Sequence, residues 1–234
     1  MSSGRPRVLI LDGMWNKTLA AVRSLGSRGF HVTVGERTRL ATALFSRYCS
    51  ERLIYPSPSE KPEAFLYAIE NQLALGNYDV MLPMEWNTQR LLTDPLVRHR
   101  FEKFARIPYV NSDIAELVND KANAMRYAKS HGVGVPETFF VENKEDLGRV
   151  ADMVGYPAVI KPRISSGSRG MMYVKDKRAM IKYYPLVHQR YHLPMVQEYI
   201  PGDEIYGVAM LLNFVNGFSI AFLVQVFSLI PTIP

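Results

Sequence analysis

The chain has 234 residues, enough for one large or two small domains. Its 47% hydrophobic content, with 11 Phe and 13 Tyr, excludes a disordered polyelectrolyte, and one cysteine, Cys49, excludes an internal disulfide framework. The net charge of +6 comes from scattered basic residues with no run of five, so anionic small molecules explain it and no nucleic-acid partner is expected.

The opening Met-Ser-Ser-Gly-Arg-Pro-Arg leads directly into an apolar run, Val8–Leu11, too short for a secretory signal core. A cytoplasmic protein is therefore expected. Val8–Leu11 reads as a buried strand, Asp12-Gly13 as a turn, and Trp15 to Leu25 as a helix with Trp15, Leu19, Val22 and Leu25 on one face. Phe30–Val34 is a second strand. Pro56, Pro58 and Pro62 lead into a helix from Glu63 to Leu75, then a strand at Tyr78–Leu82 and a helix at Trp86–Leu92. Strand–helix–strand order implies a parallel sheet covered by helices. The Asp12-Gly13-Met14-Trp15 turn has one glycine where a dinucleotide fingerprint needs three, so it reads as a tight turn. Asp12, Glu36 and Glu85 lie just past strand ends, where a crevice of such a sheet forms.

From Asn111 the text changes. Ser112 and Asp113 are helix caps, and Asp120-Lys121 opens or continues a second helix that stops at Gly132. Thr138–Val141 reads as a strand, and Asn143 caps a helix from Lys144 to Met153. The richest stretch follows. A strand-like Ala-Val-Ile delivers Lys161, the small-residue loop Ser165-Ser166-Gly167-Ser168-Arg169-Gly170 comes next, and Met171–Val174 is again a strand. A rigid ammonium and a loop of small residues are what phosphate oxygens require, since backbone N–H groups can then approach closely. Arg169 adds a guanidinium fork that can stabilise phosphate charge. No Gly-Lys-Ser/Thr ending is present and a strand follows, so this is no Walker loop. Alone, the loop also fits a plain hairpin. A second strand ends in Gln197-Glu198-Tyr199-Ile200-Pro-Gly-Asp-Glu204. Gln197 and the backbone at Glu198 and Ile200 suit a nucleobase edge, and Glu204 suits ribose hydroxyls. Glu198 and Glu204 fit a solvated edge equally well.

After Glu204 the chain carries no charged residue. Asn213, Asn216, Ser219 and Gln225 interrupt the apolar run, and Asn216-Gly217 is a two-residue turn signal between β-type runs. A buried hairpin is expected there, and no membrane span. His188 and His192 stand four apart, but Pro185 breaks the local pattern and no third metal ligand is evident. Cys49 reads as a small buried residue.

In order and spacing, Asp120-Lys121, Pro-Ala-Val-Ile-Lys161-Pro, the Ser/Gly loop and Gln197 to Glu204 resemble the ATP-grasp superfamily, its carbamoyl-phosphate-synthase-like and carboxylate–amine ligase branch. The resemblance implies an α/β chain: a Rossmann-like, parallel-sheet pre-ATP-grasp domain over 1–110, then an α+β ATP-grasp domain over 111–234. The small lobe would span about 111–200 and the large lobe would begin at 201. By position, Lys121 and Lys161 would contact phosphate and Ser165, Ser166, Gly167, Ser168 and Gly170 would close over it. Gln197, Glu198, Tyr199 and Ile200 would hold adenine and Glu204 the ribose. Cofactors implied are ATP and magnesium, the partners a small-molecule carboxylate and an amine or similar nucleophile, and the assembly a homodimer. The family's magnesium ligands lie further downstream than this sequence reaches. The chain is therefore expected to be a C-terminally truncated ligase with no metal ligand of its own and little activity alone. A non-catalytic nucleotide-binding module is the alternative.

Overall fold

The structure is a computed structural model that describes residues 4–143, 145–202, 205–213 and 218–226. It divides into two compact units, residues 1–118 and 119–234.

The first unit contains β1 (Arg7–Ile10), α1 (Asn16–Ser27), β2 (His31–Glu36), a 3₁₀ turn (Thr42–Phe45) and β3 (Glu51–Ile54). It continues with α2 (Pro62–Gly76), β4 (Val80–Leu82), α3 (Trp86–Thr93), α4 (Pro95–Phe101) and most of α5 (Ser112–Asn119). The four strands form one parallel sheet in the order β3-β2-β1-β4. Alternate residues of β1 feed opposite layers. Leu9 joins Met81, Phe65, Ile69 and Phe101 on one face, while Val8 and Ile10 join Val22, Val32 and Val34 on the other. Both faces are covered, which is why β1 reads as an unbroken apolar run. Sequence reasoning missed β3 and α4. Three of the four β3 side chains are exposed, so this edge strand carries no burial pattern.

The second unit contains α6 (Lys121–Ser130), β5 (Thr138–Phe140), α7 (Asp146–Met153), β6 (Ala158–Lys161) and β7 (Met172–Val174), then α8 (Lys177–Arg190) and β8 (Met195–Glu198). An antiparallel sheet runs β5-β8-β6-β7. Ala158, Ile160, Val174 and Val196 pack with Val150, Met180, Tyr184 and Val187 of the two covering helices. The helix α8 passes through Pro185, where the sequence suggested a break. Burial of Tyr184 and Val187 on either side outweighs the hydrogen bond that proline removes.

β9 (Ile205–Asn213) and β10 (Phe218–Val226) pair antiparallel as a separate ribbon. The expected hairpin is present, and its Asn216-Gly217 turn lies outside the described residues. Burial is not what was expected at three positions: Tyr206, Val208 and Met210, on one face by the period of two, are 53%, 66% and 62% exposed. Among the described residues no helix is long and apolar enough to cross a membrane.

Candidate functional site

The pleat of β6 decides which way its lysine points. Ile160 faces the helix-covered core, so Val159 and Lys161 face the other side, opposite Gln197 and Met195 of β8. Lys161 Nζ donates to Gln197 Oε1 at 2.5 Å. Gln197 is almost fully buried, and its amide donates onward to Thr138 Oγ1 at 2.9 Å, which itself donates to the Pro136 carbonyl at 2.7 Å. The residue expected to read a base and the residue expected to hold phosphate are therefore hydrogen-bonded to each other. Thr138 is a member of this relay that sequence reasoning did not single out.

The second lysine comes from a helix start. Asp120 caps α6, accepting from Ala122 N and Asn123 N, and the next residue is Lys121. The Lys121 ammonium donates to the Ser165 carbonyl at 2.5 Å, with Ser165 Oγ at 3.4 Å and the Arg163 carbonyl at 3.5 Å. The strand-to-loop segment and the head of α6 thus meet although they are more than forty residues apart in sequence. The loop folds as consecutive tight turns, with Gly167, Ser168 and Gly170 at φ of 63°, 58° and 78°. Arg169 folds back on the loop, donating to the carbonyl and hydroxyl oxygens of Ser166.

At the end of β8 the backbone N–H groups of Glu198 and Tyr199 already donate to Glu137 and Pro157 carbonyls. Ile200 N–H is left with no acceptor among the described residues. The Glu198 carboxylate accepts from Glu137 N at 2.7 Å, an edge contact that ties β8 to the start of β5. The Tyr199 ring packs edge-on against Tyr173. Glu204 lies outside the described residues.

Electrostatically the site is a pair of cations. Neither Lys121 nor Lys161 forms a salt bridge among the described residues. Burial pushes both ammonium groups below the usual lysine range; repulsion from Lys121 pushes Lys161 further, while Asp120 partly offsets the effect on Lys121. Burial would raise the Asp120 carboxyl, but hydrogen bonds and charge from Arg163 outweigh that and hold it below the ordinary carboxylate range. The same pairing raises Arg163. Asp120 and Glu198 are thus committed to Arg163, the helix cap and Glu137. Magnesium needs several free oxygen ligands, and these residues do not fit it. Among the described residues no group of three or more His, Cys, Asp or Glu side chains gathers around a point.

The other candidates separate from this site. In the first unit Asp12, Glu36 and Glu85 line one cavity of about 270 Å³ at the strand ends, as anticipated from their positions. Their carboxylates are engaged: Asp12 by Met84 N, Glu85 N, Thr88 and Tyr55, Glu36 by Met14 N and Arg37 N, Glu85 by Asn87. His188 and His192 line a mostly apolar cavity of about 540 Å³ with Val141, Leu147 and Tyr184, and none of the nucleotide-assigned residues borders it. α8 ends at Arg190, so the two histidines do not share a helix face. Cys49, expected buried, is half-buried with Sγ 3.1 Å from the Glu51 carbonyl.

Comparison with known proteins converges on the same segment. Residues 120–191 match the family "Carbamoyl-phosphate synthase L chain, ATP binding domain". The chain is 26% identical over 107 residues to the D-alanine–D-alanine ligase of Chromohalobacter salexigens, covering 45% of this chain and 34% of that one. It thus spans about a third of the length of such curated relatives. Among solved structures, the N5-carboxyaminoimidazole synthetase of Staphylococcus aureus complexed with ADP superimposes with a TM-score of 0.72, at 15% identity over 96% of this chain and 56% of that one. The biotin carboxylase–βγ-ATP complex of Campylobacter jejuni gives 0.70 at 17% identity, over 93% and 50%. The matched segment opens at the aspartate capping α6 and closes just past α8, so the family match falls on the elements that carry the two lysines and the Ser/Gly loop, and the solved structures share the fold of the chain.

Proposed function

We propose that the second unit binds ATP. Its phosphates sit between Lys121, Lys161 and the Ser165, Ser166, Gly167, Ser168, Gly170 loop, with Arg169 swinging out to add charge. Adenine lies along Gln197 to Ile200, taking the Ile200 N–H, and Glu204 receives the ribose. The observation that supports this most directly is the pair of ammonium groups on two different elements, without a salt bridge among the described residues and both held below the usual lysine range, by burial in each case and further by repulsion from Lys121 in the case of Lys161. A polyanion relieves that repulsion, and its oxygens replace the neutral acceptors Ser165 O and Gln197 Oε1.

In this reading the chain is the ATP-binding part of an ATP-dependent ligase that activates a carboxylate as an acyl phosphate for attack by an amine or similar nucleophile. The lysines hold and neutralise the phosphates while positioning dominates the transfer. Magnesium, when bound to the nucleotide, would share that charge, with its protein ligands outside the residues described here. A soluble, cytoplasmic homodimer is part of the same proposal. A non-catalytic nucleotide-binding module is the second reading, favoured by the commitment of Asp120 and Glu198 to structural contacts. Release of ADP in the presence of a carboxylate and an amine separates the two.

Calorimetric titration of ATP into the chain and into Lys161→Met tests the binding reading. Loss of one charge-assisted contact predicts affinity about 10- to 100-fold weaker for the variant. A folded parent chain that shows no heat with ATP, or equal affinities for both proteins, would reject it.

A further inference from the structure

Arg163 is the third basic side chain beside the loop, and unlike the two lysines it is fully committed. Its guanidinium makes a forked contact with Asp120, NH2 to Oδ2 at 2.5 Å and Nε to both oxygens at 3.1 Å. The two side chains are 27% and 15% exposed, so the pair is shielded from competing water and salt. The main chain repeats the connection. Lys121 N–H donates to the Arg163 carbonyl at 3.0 Å, and the Lys121 ammonium comes within 3.5 Å of the same oxygen. Two segments more than forty residues apart are therefore fastened at one residue by side chain and backbone together.

We propose that Arg163 and Asp120 form a clamp that positions Lys121 for phosphate, a role that rests on the nucleotide reading above. The fork fixes the head of α6 against the segment leading into the Ser/Gly loop. Lys121 springs from the first position after the clamped aspartate, so its ammonium is placed over Ser165 before any anion arrives. Neutralising Arg163 with Asp120 also removes it from the set of phosphate ligands and leaves Lys121, Lys161 and Arg169 to supply the charge. Asp120 does both jobs with one carboxylate: it caps α6 through Oδ1 and holds the guanidinium through both oxygens. The arrangement makes Arg163 a positioning residue that acts through Lys121, without touching the nucleotide.

That role gives a pattern that simple structural damage does not. Arg163→Met is expected to weaken ATP binding about tenfold while leaving adenosine affinity within about twofold, because only the phosphate contact is misplaced. In a Lys121→Met background the Arg163→Met change should cost no further ATP affinity, since the group it positions is already gone. Asp120→Asn, which keeps a good helix cap but loses the charged fork, should behave like Arg163→Met. Additive losses would make Arg163 a direct phosphate ligand and overturn the clamp. Equal losses for adenosine and ATP would reduce it to a general structural role and overturn it as well. Amide exchange, read without nucleotide, keeps this separate from the ATP reading. If the parent chain binds no ATP, faster exchange of Lys121 and of residues 165–170 in Arg163→Met upholds the clamp, and unchanged exchange rejects it.

Discussion

Removing the Asp12 carboxylate should damage the first unit far more than neutralising it. Asp12 sits at φ 64° just past β1 and is 6% exposed. Its carboxylate accepts from Met84 N at 2.9 Å, Glu85 N at 2.8 Å, Thr88 Oγ1 at 2.7 Å and the Tyr55 hydroxyl at 3.1 Å. One side chain thereby ties the end of β1 to the turn between β4 and α3. Asp12→Ala orphans two backbone donors and a fully buried threonine hydroxyl, each worth about 1–3 kcal/mol. Alanine also tolerates the left-handed region less well than aspartate, whose short polar side chain can hydrogen-bond locally there, at a cost of about 1 kcal/mol. Relief of the buried charge, the largest influence on the carboxyl and one that raises its pKa, offsets part of this. A net loss of about 3–5 kcal/mol is expected, lowering the melting temperature by about 6–20 °C for a chain of this size. Asp12→Asn keeps one oxygen for the two backbone donors and turns an amide toward two hydroxyls that can accept. Asparagine also tolerates the left-handed region, so its expected cost is about 1–2 kcal/mol. Denaturant titration followed by circular dichroism measures both. An Asn variant as damaged as Ala, or an Ala variant within about 1 kcal/mol of the parent, would refute this account of the turn.

The lysine pair predicts a pH dependence with a definite sign. Both lysines titrate below the usual range when folded, so between those lowered values and the unfolded value the unfolded chain binds more protons, and stability rises with pH through that window. ATP affinity should run the opposite way, falling as the lysines deprotonate, with proton uptake on binding visible as a buffer-dependent calorimetric heat. Lys121→Met removes the repulsion on Lys161, so the fall should move to higher pH; a fall at unchanged pH would contradict the coupling. Within the loop, Gly170→Ala and Gly167→Ala should differ. A Cβ on Gly170 would lie 2.3 Å from the Tyr191 ring and 2.8 Å from Pro162 Cγ at φ +78°, whereas one on Gly167 meets nothing within 4 Å. We expect about 2–3 kcal/mol for the first and about 1 kcal/mol for the second by thermal melting, and equal costs would mean that the contact is not retained in solution.

Much of the fold was legible because local chemistry and tertiary burial agree. The unbroken apolar run of β1 reports a strand covered on both faces, and the capping aspartate at position 120 marks the start of α6. Where they disagree, sequence reasoning failed. The edge strand β3 exposes most of its side chains, and α8 carries a proline that its packing overrides. The ribbon of β9 and β10 was legible as a hairpin from its pattern, but burial depends on what covers a face, and the pattern does not contain that.

For the candidate site, the order of motifs along the chain nominates the two lysines, the loop and the end of β8. Each is a local signature: a charge at a strand end, small residues in a turn, a polar pair closing an apolar run. Sequence alone did not reveal how they are connected. Arg163 and Thr138 carry no local signal, because their importance lies in partners about forty to sixty residues away. The engagement of Asp120, Glu198 and Asp12 in backbone and ion-pair contacts was equally hidden, for a carboxylate looks the same in sequence whether its oxygens are free or spent. Residue types and periods fixed which elements form and which charges stand at their ends. Only the tertiary structure decided which charges are left unpaired, because pairing is set by distances that chain folding alone brings about.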